Sequence, residues 1–159
     1  MAAIKRRDAR EEVFRLLFET EFHGEMSPEE IYRLAMEDRD FEDNRYIRET
    51  YFGVREKREE LDEIIARHAN GWRTDRIAPV SRNILRLCVY EMKWGHDVPV
   101  VVALNEAIEL DKKFDDPKAK AFVNGVLNGV KNELEAGKTE TAEPAGTAAP
   151  DGNGEGAAE

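Results

Sequence analysis

The densest apolar pattern in the chain lies at residues 80–94. Read at about 100° per residue, Val80, Ile84, Leu87, Cys88 and Glu91 fall on one helical face, and Leu85, Val89 and Met92 on the next. A helix apolar over more than half its circumference needs several neighbours to bury it, so this segment is expected to be the central helix of an all-α bundle. Gly95 closes it, and Asp97 and Pro99 reset the chain for another helix.

The other elements follow from the same periodicity. A first helix is predicted over residues 7–22, with Ala9, Val13, Leu16 and Leu17 as its core stripe and Phe14, Phe18 and Phe22 along one edge. Ser27-Pro28-Glu29-Glu30 is a helix start: an N-cap serine, proline at the first position, and a glutamate three residues after the cap. That helix carries Ile31, Leu34 and Ala35 and ends before Asp40. One longer helix is predicted after Asp43, through Ile47, Tyr51, Val54, Leu61, Ile65 and His68, with Arg58 interrupting the stripe and residues 55–60 as a solvated, mixed-charge face. Asn70-Gly71 is a turn, and residues 72–77 form a short helical segment closed by Pro79. After Pro99 a helix shows Val100, Leu104, Ala107 and Phe114 on one face. Asp115-Asp116-Pro117 starts the last helix, which packs through Ala119, Val123, Val126, Val130 and Leu134. Gly125 and Gly129 each cost roughly 1 kcal/mol in helix propensity, so both are expected to admit a closely approaching neighbour. The expected organisation is about seven helices in two packed sub-bundles, residues 5–69 and 72–134, within one domain at 1–134. Residues 135–159, rich in Ala, Gly, Pro and Glu, are expected to be a disordered acidic tail.

Composition narrows the functional classes. No run approaches the roughly 18 apolar residues of a membrane span, and the basic N-terminus lacks a signal peptide's apolar segment. Cys88 is the single cysteine, which suits a reducing compartment, so a cytoplasmic protein with no membrane association is expected. His23, His68 and His96 are scattered, Cys88 lies on the apolar helix, and no phosphate loop or nucleophile motif occurs. Glu106 and Glu109 read as a solvated face. No metal, no cofactor and no enzymatic activity are expected. Arg86 and Asp111 sit on apolar faces and need partners; pairing of Arg86 with Glu106 or Asp111 would fix the second sub-bundle.

The net charge of −10 is unevenly placed. Half of it sits in residues 135–159, where Glu135, Glu140, Glu143, Asp151, Glu155 and Glu159 face only Lys138. The first ten residues instead hold Lys5, Arg6, Arg7 and Arg10 against Asp8. A cationic helix start followed by an aromatic edge can hold a single-stranded nucleic acid, phosphates on the cations and bases on the rings. The same residues also read as buried rings beside an ordinary solvated helix end.

Three words stand in order downstream of the central helix: Asp97-Val98-Pro99, Leu104-Asn105-Glu106-Ala107-Ile108-Glu109-Leu110 and Phe122-Val123-Asn124-Gly125-Val126-Leu127. In order and spacing the chain resembles the NusB family of bacterial transcription antitermination factors, over about residues 6–134. The resemblance implies two helical sub-bundles and RNA binding without catalysis. It implies recognition of a boxA-type single-stranded RNA together with NusE, a small-subunit ribosomal protein, within an RNA polymerase antitermination complex that reads through terminators in ribosomal RNA operons. Self-association as a homodimer, or a helical scaffold without RNA binding of its own, is the alternative. The family's arginine-rich segment corresponds to Lys5, Arg6, Arg7 and Arg10, its first-helix tyrosine to Phe18, and its aromatic at the RNA surface to Phe122. The lysine usual just before that aromatic is displaced to Lys120, with Lys118 further back. Asp8, Ser81 and Asp111 are further departures, and Asn124 is left to bond a neighbouring helix.

Overall fold

In the computed structural model, which describes residues 4–39, 41–95 and 97–142, the chain is all-α. Among the described residues the helices are α1 (Arg6–Phe22), α2 (Pro28–Arg39), α3 (Arg45–Glu56), α4 (Arg58–Arg67), α5 (Pro79–Trp94), α6 (Val100–Phe114) and α7 (Lys120–Ala142), with short 3₁₀ turns at Thr74–Arg76 and Pro117–Ala119. Local chemistry starts several of them. The Glu30 amide donates to Ser27 Oγ at 3.1 Å while the Ser27 amide donates to Glu30 Oε1 at 3.0 Å, a reciprocal capping box. Asn44 Oδ1 accepts from the Ile47 amide at 3.0 Å and begins α3.

α5 is the hub. From Asn83 to Val89 every residue is buried, as are Glu91 and Met92, and α5 packs against α1, α3, α4, α6 and α7. The buried side chains form one continuous core shared by both halves of the chain. Cys88 belongs to it: burial pushes the thiol up, away from reactivity, and its Sγ lies 3.4 Å from the Ala103 carbonyl.

Four expectations are corrected. The helix predicted after Asp43 is two, because Lys57 leaves helical geometry (φ −95°, ψ 12°). The bend keeps both halves against α5, where Tyr90 packs onto the backbone of Gly53. The last helix begins with the 3₁₀ turn and runs on to Ala142, beyond Leu134; residues 143–159, the remainder of the predicted tail, lie outside the described residues, as does His96. Arg86 bonds neither Glu106 nor Asp111. Its guanidinium donates from Nε to Asp62 Oδ1 at 2.8 Å and from Nη2 to Asp62 Oδ2 at 2.9 Å, and Nη1 reaches Glu21 Oε2 at 3.3 Å. The fourth correction concerns the two glycines of α7. A Cβ on Gly129 would overlap the His68 ring, but one on Gly125 would meet nothing within 4 Å.

The glycines therefore give opposite stability outcomes. In urea unfolding, Gly125→Ala is expected to raise stability by about 0.5–1 kcal/mol through helix propensity. Gly129→Ala is expected to lower it, because the His68 ring is also held by Glu133 Oε1 at 2.7 Å and cannot retreat without losing that bond.

Candidate nucleic-acid interface

The N-terminal cations separate into surface and interior. Lys5 is the residue before α1, and Lys5, Arg6 and Arg7 are exposed. The Arg6 guanidinium lies over the Tyr46 ring, 4.2 Å from its centroid. Arg7 forks onto Glu106, Nε to Oε1 at 3.0 Å and Nη2 to Oε2 at 2.7 Å, and that bond holds the Glu106 carboxyl below its usual range. Glu106 is thus no merely solvated carboxylate.

Arg10 is buried, only 4% exposed. Its Nε and Nη2 donate to Glu91 Oε1 and Oε2 at 2.7 and 3.0 Å, and the Tyr46 hydroxyl donates to Glu91 Oε2 at 2.7 Å. Burial opposes the charge of Arg10, yet its bonds to Glu91 hold its pKa above the ordinary value. Burial and the Glu91 charge push the Tyr46 phenol up, so it stays a donor. Burial leaves the Arg10 guanidinium without surface to offer a phosphate; it anchors the helix that presents the others.

The aromatic edge is a graded ladder. Phe14 is core, against Phe114 with centroids 4.9 Å apart; Phe18 is half-buried between Phe14 (6.1 Å) and Phe22 (4.9 Å); Phe22 is 59% exposed. The ring that opens most to solvent is Phe22, one turn beyond Phe18.

A second cluster gathers around the start of α7. Asp116 Oδ1 accepts from the Lys118 amide at 2.9 Å and caps the 3₁₀ turn. This leaves the Lys118 and Lys120 side chains exposed, and neither joins an ion pair among the described residues. Phe122 is half-buried and lines a cleft of about 380 Å³ with Trp72, Arg76, Ile77, Ser81 and Lys118. Trp72 and Arg76 are not among the sequence-predicted site residues; the sequence shows only a large ring just after the Asn70-Gly71 turn, and the structure leaves that ring 55% exposed. Asn124 Oδ1 is buried without a hydrogen-bond partner, so it bonds no neighbouring helix through that oxygen.

The two clusters stand apart. Arg10 meets Glu91 while Glu21 meets Arg82, so α1 and α5 are antiparallel. Phe122 shares a cleft with Ser81 at the start of α5, whereas the cationic end of α1 sits by Glu91, ten residues or about 15 Å along. The Phe14–Phe18–Phe22 ladder occupies the intervening length of α1.

Beneath the second cluster lies an acid pair. Asp111 is buried with Oδ1 unpartnered; burial, then the facing Asp115, pushes its carboxyl up to about 7. Asp115 Oδ2 accepts from Ser81 Oγ at 2.5 Å and Oδ1 from the Asp116 amide at 2.8 Å. The buried carboxyl expected to need a partner faces another carboxyl, Asp115, instead of a cation.

Comparison with known proteins adds three findings. Residues 7–132 match the family model described as the NusB family. Among curated relatives, the transcription antitermination protein NusB of Bacillus pumilus is 46% identical over 131 residues, covering 82% of this chain and 98% of that protein; that of Bacillus subtilis is 42% identical over 132 residues, covering 83% and 98%. Among solved structures, T. maritima NusB superposes with a TM-score of 0.76 at 31% identity over 83% of this chain and 94% of that one. A crystal structure of antitermination factors NusB and NusE in complex with dsRNA gives 0.72 at 29% identity, covering 80% and 96%.

The buried groups set two expected outcomes. Glu91→Gln should cost about 3 kcal/mol, because it leaves the buried Arg10 charge with only the longer contact to Glu106, at 3.4 Å. The double variant Arg10→Met/Glu91→Leu should recover most of that loss; additive losses in chemical denaturation would contradict the assignment. Asp111 keeps its proton in the fold at pH values where the unfolded chain has released it, so the native state binds the extra proton between its ordinary 3.8 and about 7. Its contribution is fully present below about pH 4 and lost as pH rises towards 7. Asp111→Asn is expected to flatten that slope in thermal unfolding and to be more stable than the parent chain above pH 7, by about 1–2 kcal/mol.

Proposed function

Because the chain belongs to the NusB family of transcription antitermination factors, we propose that it binds a boxA-type single-stranded RNA jointly with NusE. In this reading the assembly joins an RNA polymerase antitermination complex and promotes read-through of ribosomal RNA operons. The observation that carries the reading is the strip along α1 and the start of α7. Lys5 at one end and Lys118 and Lys120 at the other join no ion pair among the described residues, and partly exposed rings lie between them. Such cations remain available for phosphates in a chain that is acidic as a whole. The rings favour a single strand, whose unstacked bases they can accept, over a duplex, whose bases are enclosed. The related NusB–NusE complex holds double-stranded RNA, so the choice of strand is part of the test.

Roles follow from exposure. Lys5, Arg6, Lys118 and Lys120 bind phosphates directly, and Arg7 does so by leaving Glu106. Phe122 stacks on a base, and Phe18 supports Phe22 in doing the same. Arg10 is a positioning residue: it locks α1 onto α5 and so aims its neighbours.

The deciding measurement is fluorescence anisotropy of a labelled boxA-type single strand, titrated with the protein alone and with NusE. Binding is expected to strengthen with NusE. Arg6→Ala/Arg7→Ala should weaken it and reduce the slope against log salt by about one unit, whereas Phe122→Ala should weaken it about tenfold at an unchanged slope. A duplex bound as tightly as the single strand would remove the stacking roles. No binding in either condition would leave a helical scaffold.

A further inference from the structure

Trp72 has no role in the reading above, yet it is one of two rings more than half exposed among the described residues, the other being Phe22. It follows a tight turn built from two residues with positive φ, Asn70 at 51° and Gly71 at 82°. That turn is fixed to the body: the Trp72 amide donates to the Ala69 carbonyl at 2.9 Å, and the Thr74 hydroxyl donates to the Asp62 carbonyl at 3.2 Å. An indole that is 55% exposed on an anchored turn is held out in water at a cost that core packing does not return.

The surroundings specify what it faces. Trp72, Ile77 and Phe122 give one cleft of about 380 Å³ two aromatic rings and an aliphatic surface from separate segments of the chain. Arg76 and Lys118 also line it, and neither belongs to an ion pair among the described residues. The cleft's carboxylates are already engaged, Asp115 by the Ser81 hydroxyl and Asp116 by the Lys118 amide. Aromatic faces with unspent cations beside them form the pairing that takes a base and its phosphate. An apolar peptide would make no use of the cations, and a bare anion would make none of the rings.

We infer that Trp72 and Phe122 together form a nucleobase clamp that holds one unstacked base of a single-stranded RNA, with Arg76 and Lys118 on the flanking phosphates. The inference rests on the RNA-binding reading and adds Trp72 and Arg76 to it. Trp72 supplies the wider of the two stacking surfaces, and its anchored turn means little ordering is lost on binding.

The indole is its own reporter. The second tryptophan, Trp94, lies at the far end of α5 against Tyr90 and outside the proposed surface, so Trp94→Phe leaves Trp72 as the sole indole. In the Trp94→Phe protein with NusE present, titration with an unlabelled boxA-type single strand is expected to quench Trp72 emission. In anisotropy, Trp72→Ala is expected to lose about tenfold in affinity at an unchanged salt slope, with Trp72→Phe retaining most of it, and Arg76→Ala to reduce the slope. RNA bound with unaltered Trp72 emission and wild-type affinity in Trp72→Ala would overturn the clamp and leave the RNA reading standing. Emission that changes with NusE alone and not with RNA would overturn it in favour of a protein contact. Absence of RNA binding by the unaltered protein would overturn both.

Discussion

A guanidinium and a carboxylate that water cannot reach hold the first helix to the central one. Taking Arg10 and Glu91 out of water costs several kcal/mol for each ion, and the cost is offset only while both nitrogens, both oxygens and the Tyr46 hydroxyl keep their places. Hydrophobic packing between α1 and α5 would tolerate a slide by a turn; this bond does not. It fixes α1 along α5 and brings in the start of α3 through Tyr46 and the middle of α6 through Glu106. The exposed Lys5, Arg6 and Arg7 inherit their positions from it.

A second polar knot works at the opposite end of the same helix pair. Glu21 receives Arg82, Asn83 and Arg86, and Arg86 passes on to Asp62 of α4. Burial works against the Glu21 carboxylate, yet the bonds from Arg82 and Asn83 and the charge of Arg86 keep its pKa below the ordinary range. With one knot at each end of α1, the antiparallel pairing is determined twice, and the ring ladder between them is held at a set orientation. The core supplies the bulk of the stability, whereas these bonds choose among the ways the same apolar faces could meet.

An acidic protein can present a cationic surface when its acids are spent locally. Glu106, Glu11, Glu21 and Glu91 each already hold an arginine or lysine, so their charge is largely returned within the fold. Lys5, Lys118 and Lys120 have no such partner among the described residues and project outward. The field at the surface is set by this residue of unpaired charge rather than by the sum of −10. The Asp111–Asp115 pair adds to the economy near α7: with the Asp111 carboxyl pushed up to about 7, below that pH the pair carries less negative charge than two ionised carboxyls would.

Periodicity and capping are local, and the sequence by itself carried them: the apolar all-round helix at residues 80–94, the Ser27–Glu30 box, the turn at Asn70-Gly71, and the Phe122 word. It also set Cys88 on the apolar helix, and buried rings were one of its two readings of the Phe14 edge. Whatever depended on a partner far along the chain was illegible. Arg10 and Arg7 look alike in sequence, and only the arrival of Glu91, 81 residues away, makes one of them interior. Gly125 and Gly129 are equivalent by spacing, but the His68 ring comes to one of them alone. The break at Lys57 falls one turn after Gly53, and nothing local says that Tyr90 of α5 will pack onto that glycine. Trp72 reads as one more hydrophobic residue until the turn before it and the start of α7 are brought together around a cleft. Backbone preference and side-chain period act over a few residues and are written in order. Burial, ion pairing and clefts are made by segments distant in sequence, and only their meeting in space decides them.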